Sequence, residues 1–285
     1  VNSLPTPLPS PLMSITDGAP TAPPPPAATS LTAELCVLAS GSAGNCSVLT
    51  LSRSGVRRAC LIDLGLSPRR TTRLLGELGL GLHHVDDIVL THLDTDHFHP
   101  GWAKALPCHC TLHVHASHAD SCPHFGLFGL HAAPFESAFR LRDGTPVRSV
   151  LAAHDDHGVA TLRFCLPGGC LGFATDVGRV TDPIVEHLAG VEVLAIESNY
   201  CPVMQENSGR PAFLKRRIMG GAGHLSNHEA IEAIARIAPR SHVVLLHLSR
   251  QCNDPDLVAS LHEGVAYGLT ITSQDRPTEW VRIVG

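Results

Sequence analysis

Five apolar runs in this chain end on an acid or a histidine. Asp63 closes "CLID", His92 closes "IVLTH", His154 closes "SVLAAH" and Asp176 closes "GFATD"; His247 lies late in "VVLLHLS". Short apolar runs bounded by turn residues read as buried strands. Their ends are rigid positions beside loops, where functional side chains are usually carried. A fold for this chain has to bring those ends together. The densest of them is "THLDTDH", residues 91–97, with His92, Asp94, Asp96 and His97 in six residues. A single aspartate there would read as a helix cap. Two aspartates between two histidines read as metal ligands.

The rest of the chain supplies the scaffold. "CVLAS" (36–40), "CSVLTL" (46–51), "RACLID" (58–63), "DDIVLTH" and "TLHVHA" read as strands, separated by turns such as "GSAGN" and "RSG". Ser67 and Pro68 open a helix that stops at Gly79, and "GWAKAL" reads as a short helix. The second half repeats the style. "VRSVLAAH", "ATLRFCL", "CLGFATD", "VEVLAIES" and "HVVLLHLS" read as strands; "DPIVEHLAG", "AIEAIARIA" and "DPDLVASLHEGVAYG" read as helices. Ser226 and Glu229 form a capping box before the second of these. Two αβ halves, with sheets face to face and helices outside, fit this order.

Composition narrows the class. Residues 1–33 are rich in Pro, Ala, Ser and Thr and nearly uncharged, which predicts a disordered tail before one domain over 34–285. The start lacks the basic and apolar regions of a signal peptide, and no run reaches the roughly 18 apolar residues of a membrane span. The ten cysteines include no C-x-x-C pair, which favours reduced thiols and a cytoplasmic protein. A net charge of −5 argues against a broad nucleic-acid footprint and leaves room for a local basic patch.

Four histidines (92, 97, 154, 247) and three aspartates (94, 96, 176) make seven donors. That number suits two divalent ions with a shared carboxylate, able to activate a water and to clamp both oxygens of a displacement. Imidazole with carboxylate suits Zn, Mn or Fe. The run "HCTLHVHASHADSCPH" (109–124) matches no zinc module and is expected to be a solvated strand and helix, with His99 and His157 as bystanders or pocket lining.

H-x-D-x-D-H, with Asp63 before it and His154, Asp176 and His247 after it, resembles the metallo-β-lactamase fold superfamily, whose usual signature is H-x-H-x-D-H. "LASGSAGNCSVL" (38–49), "IDLGLSPRR" (62–70), "IESN" (196–199), "LKRRIMGGAGHLSN" (214–227) and "LLHLSRQCNDP" (245–255) are similar to segments of its YycJ/WalJ-like branch. The resemblance covers roughly residues 35 to 270. It implies a four-layer α/β fold, an αββα sandwich of two mixed β-sheets flanked by helices. Carried over, His92, Asp94 and His154 hold one ion, Asp96, His97 and His247 the other, and Asp176 bridges them. Asp63 orients a ligand, and Asp63, Asp96 and His97 form the catalytic group. The branch is associated with metal-dependent nucleases, including 5′-to-3′ exonucleases acting on duplex DNA.

Two positions depart from the pattern. Asp94 stands where the superfamily has histidine, and "NYC" (199–201) stands where the branch has Asn-His-Asp. Two divalent ions, a hydroxide and three carboxylates carry no net charge, whereas two carboxylates leave one positive charge. The site is therefore expected to favour harder ions, Mn, Mg or Fe, over Zn. "GSAGN" is a possible phosphate cradle. Lys215, Arg216, Arg217 and His224 precede a helix opened by Ser226 and Asn227, and this group is expected to hold a substrate phosphate. The leading expectation is a dinuclear phosphodiesterase acting on DNA. The alternatives are hydrolysis of a small ester, thioester or phosphodiester, or a binding protein that has lost catalysis.

Overall fold

In β1 (Leu31–Ala39) successive side chains belong to different cores. Leu35 and Val37 face one and Cys36 and Leu38 another, because strand side chains alternate. Nearly every residue of this strand's second half is buried, so both faces of its sheet are covered. The computed structural model describes Val1, residues 31–127 and residues 132–284. The expected tail falls outside these, except that Leu31, Thr32 and Ala33 already belong to β1.

The first sheet continues through β2 (Cys46–Arg53), β3 (Val56–Ile62), β4 (Val85–Leu90), β5 (Thr111–His115) and β6 (Ala132–Phe135). β1 to β3 are antiparallel and β3 to β6 parallel. The helix α1 (Pro68–Glu77) makes the β3–β4 crossover; Ser67 caps it and Pro68 stands in its first turn, as the sequence predicts. The second sheet holds β7 (Ala138–Arg140), β8 (Pro146–Ala152), β9 (Val159–Leu166) and β10 (Gly169–Ala174), all antiparallel. It continues in parallel through β11 (Val193–Glu197), β12 (His242–Leu246) and β13 (Gly268–Ile271). Its crossovers carry α2 (Asp182–Leu188), α3 (Pro202–Asn207), α4 (Ala212–Met219), α5 (Asn227–Ile237) and α6 (Pro255–Leu261).

Between the sheets lies one core, with Leu35, Leu49, Ile62 and Val89 meeting Phe164, Phe173, Val193 and Val244. Outside the first sheet, Leu74, Leu75 and Trp102 cover Leu61 and Ile88. Outside the second, Ile184, Ile234 and Val258 cover Leu194, Ile196 and Val243. These three cores make the four αββα layers.

Several local expectations change. "GWAKAL" is a 3-10 turn, Pro100–Lys104, capped by the His99 side chain. The expected last helix stops at Leu261, and two strands follow it. The final one, β14 (Val281–Val284), returns to the first sheet and pairs antiparallel with β1. The histidines of 109–124 are only partly solvated: His109 and His124 are exposed, His115 is half-buried, and His113 and His118 are buried. β5 is an interior strand, His113 is buried against Asp87 at 2.8 Å and stacks on Phe139, and His118 contacts the Gly158 carbonyl. Among the described residues, no helix is long and apolar enough to cross a membrane.

Candidate metal centre

The seven expected donors come from both sheets. His92, Asp94, Asp96 and His97 follow β4 in the first; His154, Asp176 and His247 follow β8, β10 and β12 in the second. Three site residues take the left-handed backbone conformation, Asp63 at φ 62°, Asp176 at φ 51° and His247 at φ 57°. Non-glycine residues rarely adopt it, and strain of this kind concentrates at functional sites. Here it turns the chain sharply at a strand end.

The structure brings these side chains close together. Donor atoms of His92, Asp94 and His154 lie together, as do those of Asp96, His97 and His247. Asp94 Oδ2 is 3.9 Å from His92 Nε2 and 3.8 Å from His154 Nε2. Asp96 Oδ2 is 3.3 Å from His247 Nε2 and 4.0 Å from His97 Nε2. Between the sets, Asp176 Oδ2 stands 2.5 Å from His97 Nε2 and 3.9 Å from His92 Nε2. Donors around one ion stand roughly 3.0–3.4 Å apart for bonds near 2.1 Å. Small side-chain shifts bring each set to that spacing.

All four imidazoles are oriented alike. Each directs Nδ1 to a protein acceptor and turns Nε2 toward the carboxylates of the cluster. His97 Nδ1 meets Asp63 Oδ2 at 2.8 Å, and His154 Nδ1 meets the Gly223 carbonyl at 3.1 Å. His92 Nδ1 meets Thr91 Oγ1 at 2.9 Å, and His247 Nδ1 meets Glu197 Oε1 at 3.0 Å. An acceptor on one ring nitrogen fixes the tautomer and prepares the other as a metal ligand. Asp63 also accepts from the Thr91 backbone N–H at 2.8 Å and from its hydroxyl. It thus contacts Thr91 and His97 and does not itself line the cavity.

Electrostatics agree with a cation site. Asp176 Oδ1 lies 3.0 Å from the Nδ1 atoms of His224 and His247. Both of those N–H groups are aligned on Glu197 instead, so the buried Oδ1 has no hydrogen-bond partner among the described residues. Such orphans call for an explanation, and a bound cation is one. Burial works against charge on His97, but Asp176 and Asp63 outweigh it and hold the imidazole well above its ordinary value. His247 is raised in the same way by Asp176 and Asp96. Burial opposes the charge of Asp176 too, and His247 and His97 nevertheless hold it well below the carboxylate range. Burial, with His97 beside it, outweighs Asp176 and Asp94 at His92 and holds its imidazole well below the ordinary value. The donor set therefore fits divalent cations in place of the protons it otherwise shares.

The cavity over these donors holds about 260 Å³ and is lined also by Ser42, Asn199, Arg210, Arg217, His224 and Ser249. Asp94 forms part of its open rim, with a 46 % exposed side chain. A smaller cavity of about 100 Å³ opens on the other side of His92, Asp94 and His154, beside Phe125 and His157.

The expected phosphate-binding group is only partly assembled. His224 and Arg217 line the cavity, and Arg217 is paired with Asp155. Lys215 instead donates to the Glu206 carbonyl, and Arg216 does not line the cavity. Ser226 and Asn227 require correction. Ser226 is buried in the capping box with Glu229, and the Asn227 side-chain amide bonds to Ser198 and Asn253. "GSAGN" is likewise no open cradle. Asn45 Oδ1 accepts from the Gly41 N–H, and its Nδ2 reaches the Asp96 carbonyl and His97 Nε2. Gly65 is wedged between this turn and Asp96: a Cβ there would stand 2.6 Å from the Asn45 backbone nitrogen and 1.7 Å from the Asp96 carbonyl oxygen, which only glycine avoids.

Glu197 is the residue that sequence reasoning missed. It is fully buried at the end of β11. Its Oε1 accepts from His224 Nδ1 at 2.7 Å and from His247 Nδ1, and its Oε2 from the backbone of Val177 and Leu225. The signal was present, since "VEVLAIES" ends on an acid like the other site strands. At the second departure, Tyr200 is buried against Ile218 and Cys252, and Asn199 holds the His247 carbonyl at 2.8 Å.

A family model described as "Beta-lactamase superfamily domain" matches residues 58–248, well over half of the chain. The chain belongs to the β-lactamase superfamily. It is a metallo-β-lactamase-fold hydrolase of the YycJ/WalJ-like kind. It is 26% identical over 264 residues to "Exodeoxyribonuclease WalJ" of Streptococcus pneumoniae, covering 87% of this chain and 97% of that protein. It is 28% identical over 228 residues to "Exodeoxyribonuclease YycJ" of Bacillus anthracis, covering 78% and 84%. Solved superfamily structures share the fold at low identity. YhfI from Bacillus subtilis aligns with a TM-score of 0.62 at 16% identity, over 86% of this chain and 99% of its own. Zn(2+)-bound PqqB from Methylobacterium extorquens aligns with a TM-score of 0.64 at 17% identity, over the same shares.

Proposed function

We propose that this superfamily member is a dinuclear metal-dependent phosphodiesterase that degrades DNA. The observation that carries the proposal is the common orientation of four imidazoles. Each has Nδ1 beside a protein acceptor and Nε2 turned to one or two of the carboxylates Asp94, Asp96 and Asp176. His92, Asp94 and His154 would hold one ion; Asp96, His97 and His247 would hold the second, with Asp176 between them. Two divalent ions, when bound, lower the pKa of a water to near neutrality and neutralise charge on a phosphodiester. The chain's own groups position these parts. Asp63 and Asn45 fix His97, and Glu197 fixes His247 and His224. Burial opposes charge on His224, but in the metal-free protein Glu197 and Asp176 push its imidazole up to about 9. The exodeoxyribonuclease relatives favour DNA as the substrate.

The test is degradation of linear duplex DNA, labelled at either end, with Mn²⁺, beside an Asp96→Ala, His97→Ala control. Loss of DNA with the intact protein alone supports a nuclease, and the label released first gives its polarity. Intact DNA with two bound ions rejects the DNA substrate. A cavity of about 260 Å³ suits a compact ligand and favours a small phosphodiester as the second reading. In that case bis(p-nitrophenyl) phosphate is hydrolysed while DNA stays intact.

A further inference from the structure

Arg210 lies between α3 and α4 and lines the metal-centre cavity. Three hydrogen bonds fix its guanidinium. Nε donates to Gln251 Oε1 at 3.0 Å, Nη1 to Gln205 Oε1 at 3.0 Å and Nη2 to Ser249 Oγ at 3.2 Å. All three acceptors are neutral, and Arg210 takes part in no ion pair among the described residues. The other arginine of the cavity, Arg217, has its charge matched by Asp155. Arg210 is therefore a positioned cation without a counter-charge.

Its anchor is built into the protein. Gln205 is fully buried and turns its oxygen to Arg210, which leaves its own Nε2 buried without a partner. A buried amide N–H without a bond costs free energy, and such sites in native proteins usually serve a purpose. Ser249 lines the cavity two residues beyond His247 and is tied to it through Asn199. A guanidinium has five N–H donors. Three are engaged, so one remains on each Nη, the pattern that takes two oxygens of a phosphate.

Charge gives the reason for such a group. Asp94 adds a carboxylate where the superfamily signature has a neutral histidine. That removes one positive charge from a site meant to receive an anion, and an unmatched arginine on the same cavity restores it.

We propose that Arg210 is the substrate-phosphate clamp of this site, binding phosphate oxygens beside the scissile bond and offsetting the charge of Asp94. The assignment rests on the phosphodiesterase reading. It is tested on the metal-loaded protein by fluorescence anisotropy with a phosphorothioate-linked duplex oligonucleotide over a NaCl series. Metal content and melting temperature are measured on each protein.

Arg210→Gln is expected to weaken binding about tenfold or more and to reduce the slope of log affinity against log salt by about one, with metal content unchanged. Arg210→Lys restores the slope. Gln251→Glu keeps Arg210 but gives it a counter-charge, so it also weakens binding; it decides the matter if Arg210→Gln fails to fold. Unchanged affinity and slope in Arg210→Gln, or in Gln251→Glu where the first variant is unfolded, overturn the proposal and leave Arg210 a brace for α3. If the unaltered protein does not bind the duplex, the nuclease reading fails by itself. The same proteins are then compared on bis(p-nitrophenyl) phosphate. A raised KM at constant kcat in Arg210→Gln upholds the clamp, an unchanged KM overturns it, and no hydrolysis by the unaltered protein overturns both readings.

Discussion

Single residues in this centre act through the atoms behind the ligands. Asp63 touches the cavity only by way of His97 and Thr91. Asp63→Ala removes the acceptor that fixes His97, so metal affinity falls by about 10–100-fold, measured by chelator competition. An unchanged affinity would show that His97 is held by Asn45 alone. Asp94 poses a different question, since a third carboxylate hardens the donor set. Protein purified without added metal is expected to carry Mn or Fe in preference to Zn, and a stoichiometric pair of zincs found by elemental analysis would reject this. Protonation follows from the same contacts. In metal-free protein, His224 is pushed up to about 9, and His97 and His247 are raised as well. A raised folded-state value gives stability that is complete below the ordinary imidazole value of about 6.5 and is lost as pH rises. Urea unfolding of metal-free protein should therefore show stability falling between about pH 6.5 and 9. A flat profile would mean that these histidines are not protonated in the folded chain.

At the level of elements, strand ends and their left-handed residues build the site, while helix ends serve packing. Ser226 illustrates the difference. Its sequence setting suited either an anion site or a capping box, and the structure buries it in the box. Ser226→Ala should cost about 1 kcal/mol in chemical denaturation, as loss of an N-cap does. A cost near zero would mean that Glu229 or water replaces the cap. Periodicity exposed the longer elements, α1, α5 and the strands of the two sheets. It missed α3 and α4, which are 6 and 8 residues long and lie among Pro and Gly. Helices so short owe their stability to contacts rather than to propensity. Arg217 stands on α4 and Arg210 between the two helices, so the arginine side of the cavity was less legible than its histidine side.

For the molecule as a whole, the two sets of donors join the two sheets. The set around His92 needs His154 from the second sheet, and the set around His97 needs His247 from it. Ions bound there would link the layers and, binding the folded state alone, would stabilise it by mass action. Removing metal with a chelator should lower Tm by several degrees, and Mn²⁺ or Zn²⁺ should restore it; calorimetry showing no shift would argue that the site is empty or loosely held.

The sequence determined the layers and the chemistry at the strand ends. Alternation fixes which side chains are buried, and His92, Asp94, Asp96 and His97 are close in the chain because one turn holds them. It also displayed Asp63, His154, Asp176 and His247, since each ends an apolar run. Only the tertiary structure decided which imidazole nitrogens face the carboxylates, because the Nδ1 acceptors Glu197 and Gly223 lie 50 and 69 residues away from the histidines they contact. It alone separated Arg210 from Lys215 and Arg216. Charge reads the same in sequence wherever it points, and an arginine's role depends on whether a carboxylate stands beside it in space.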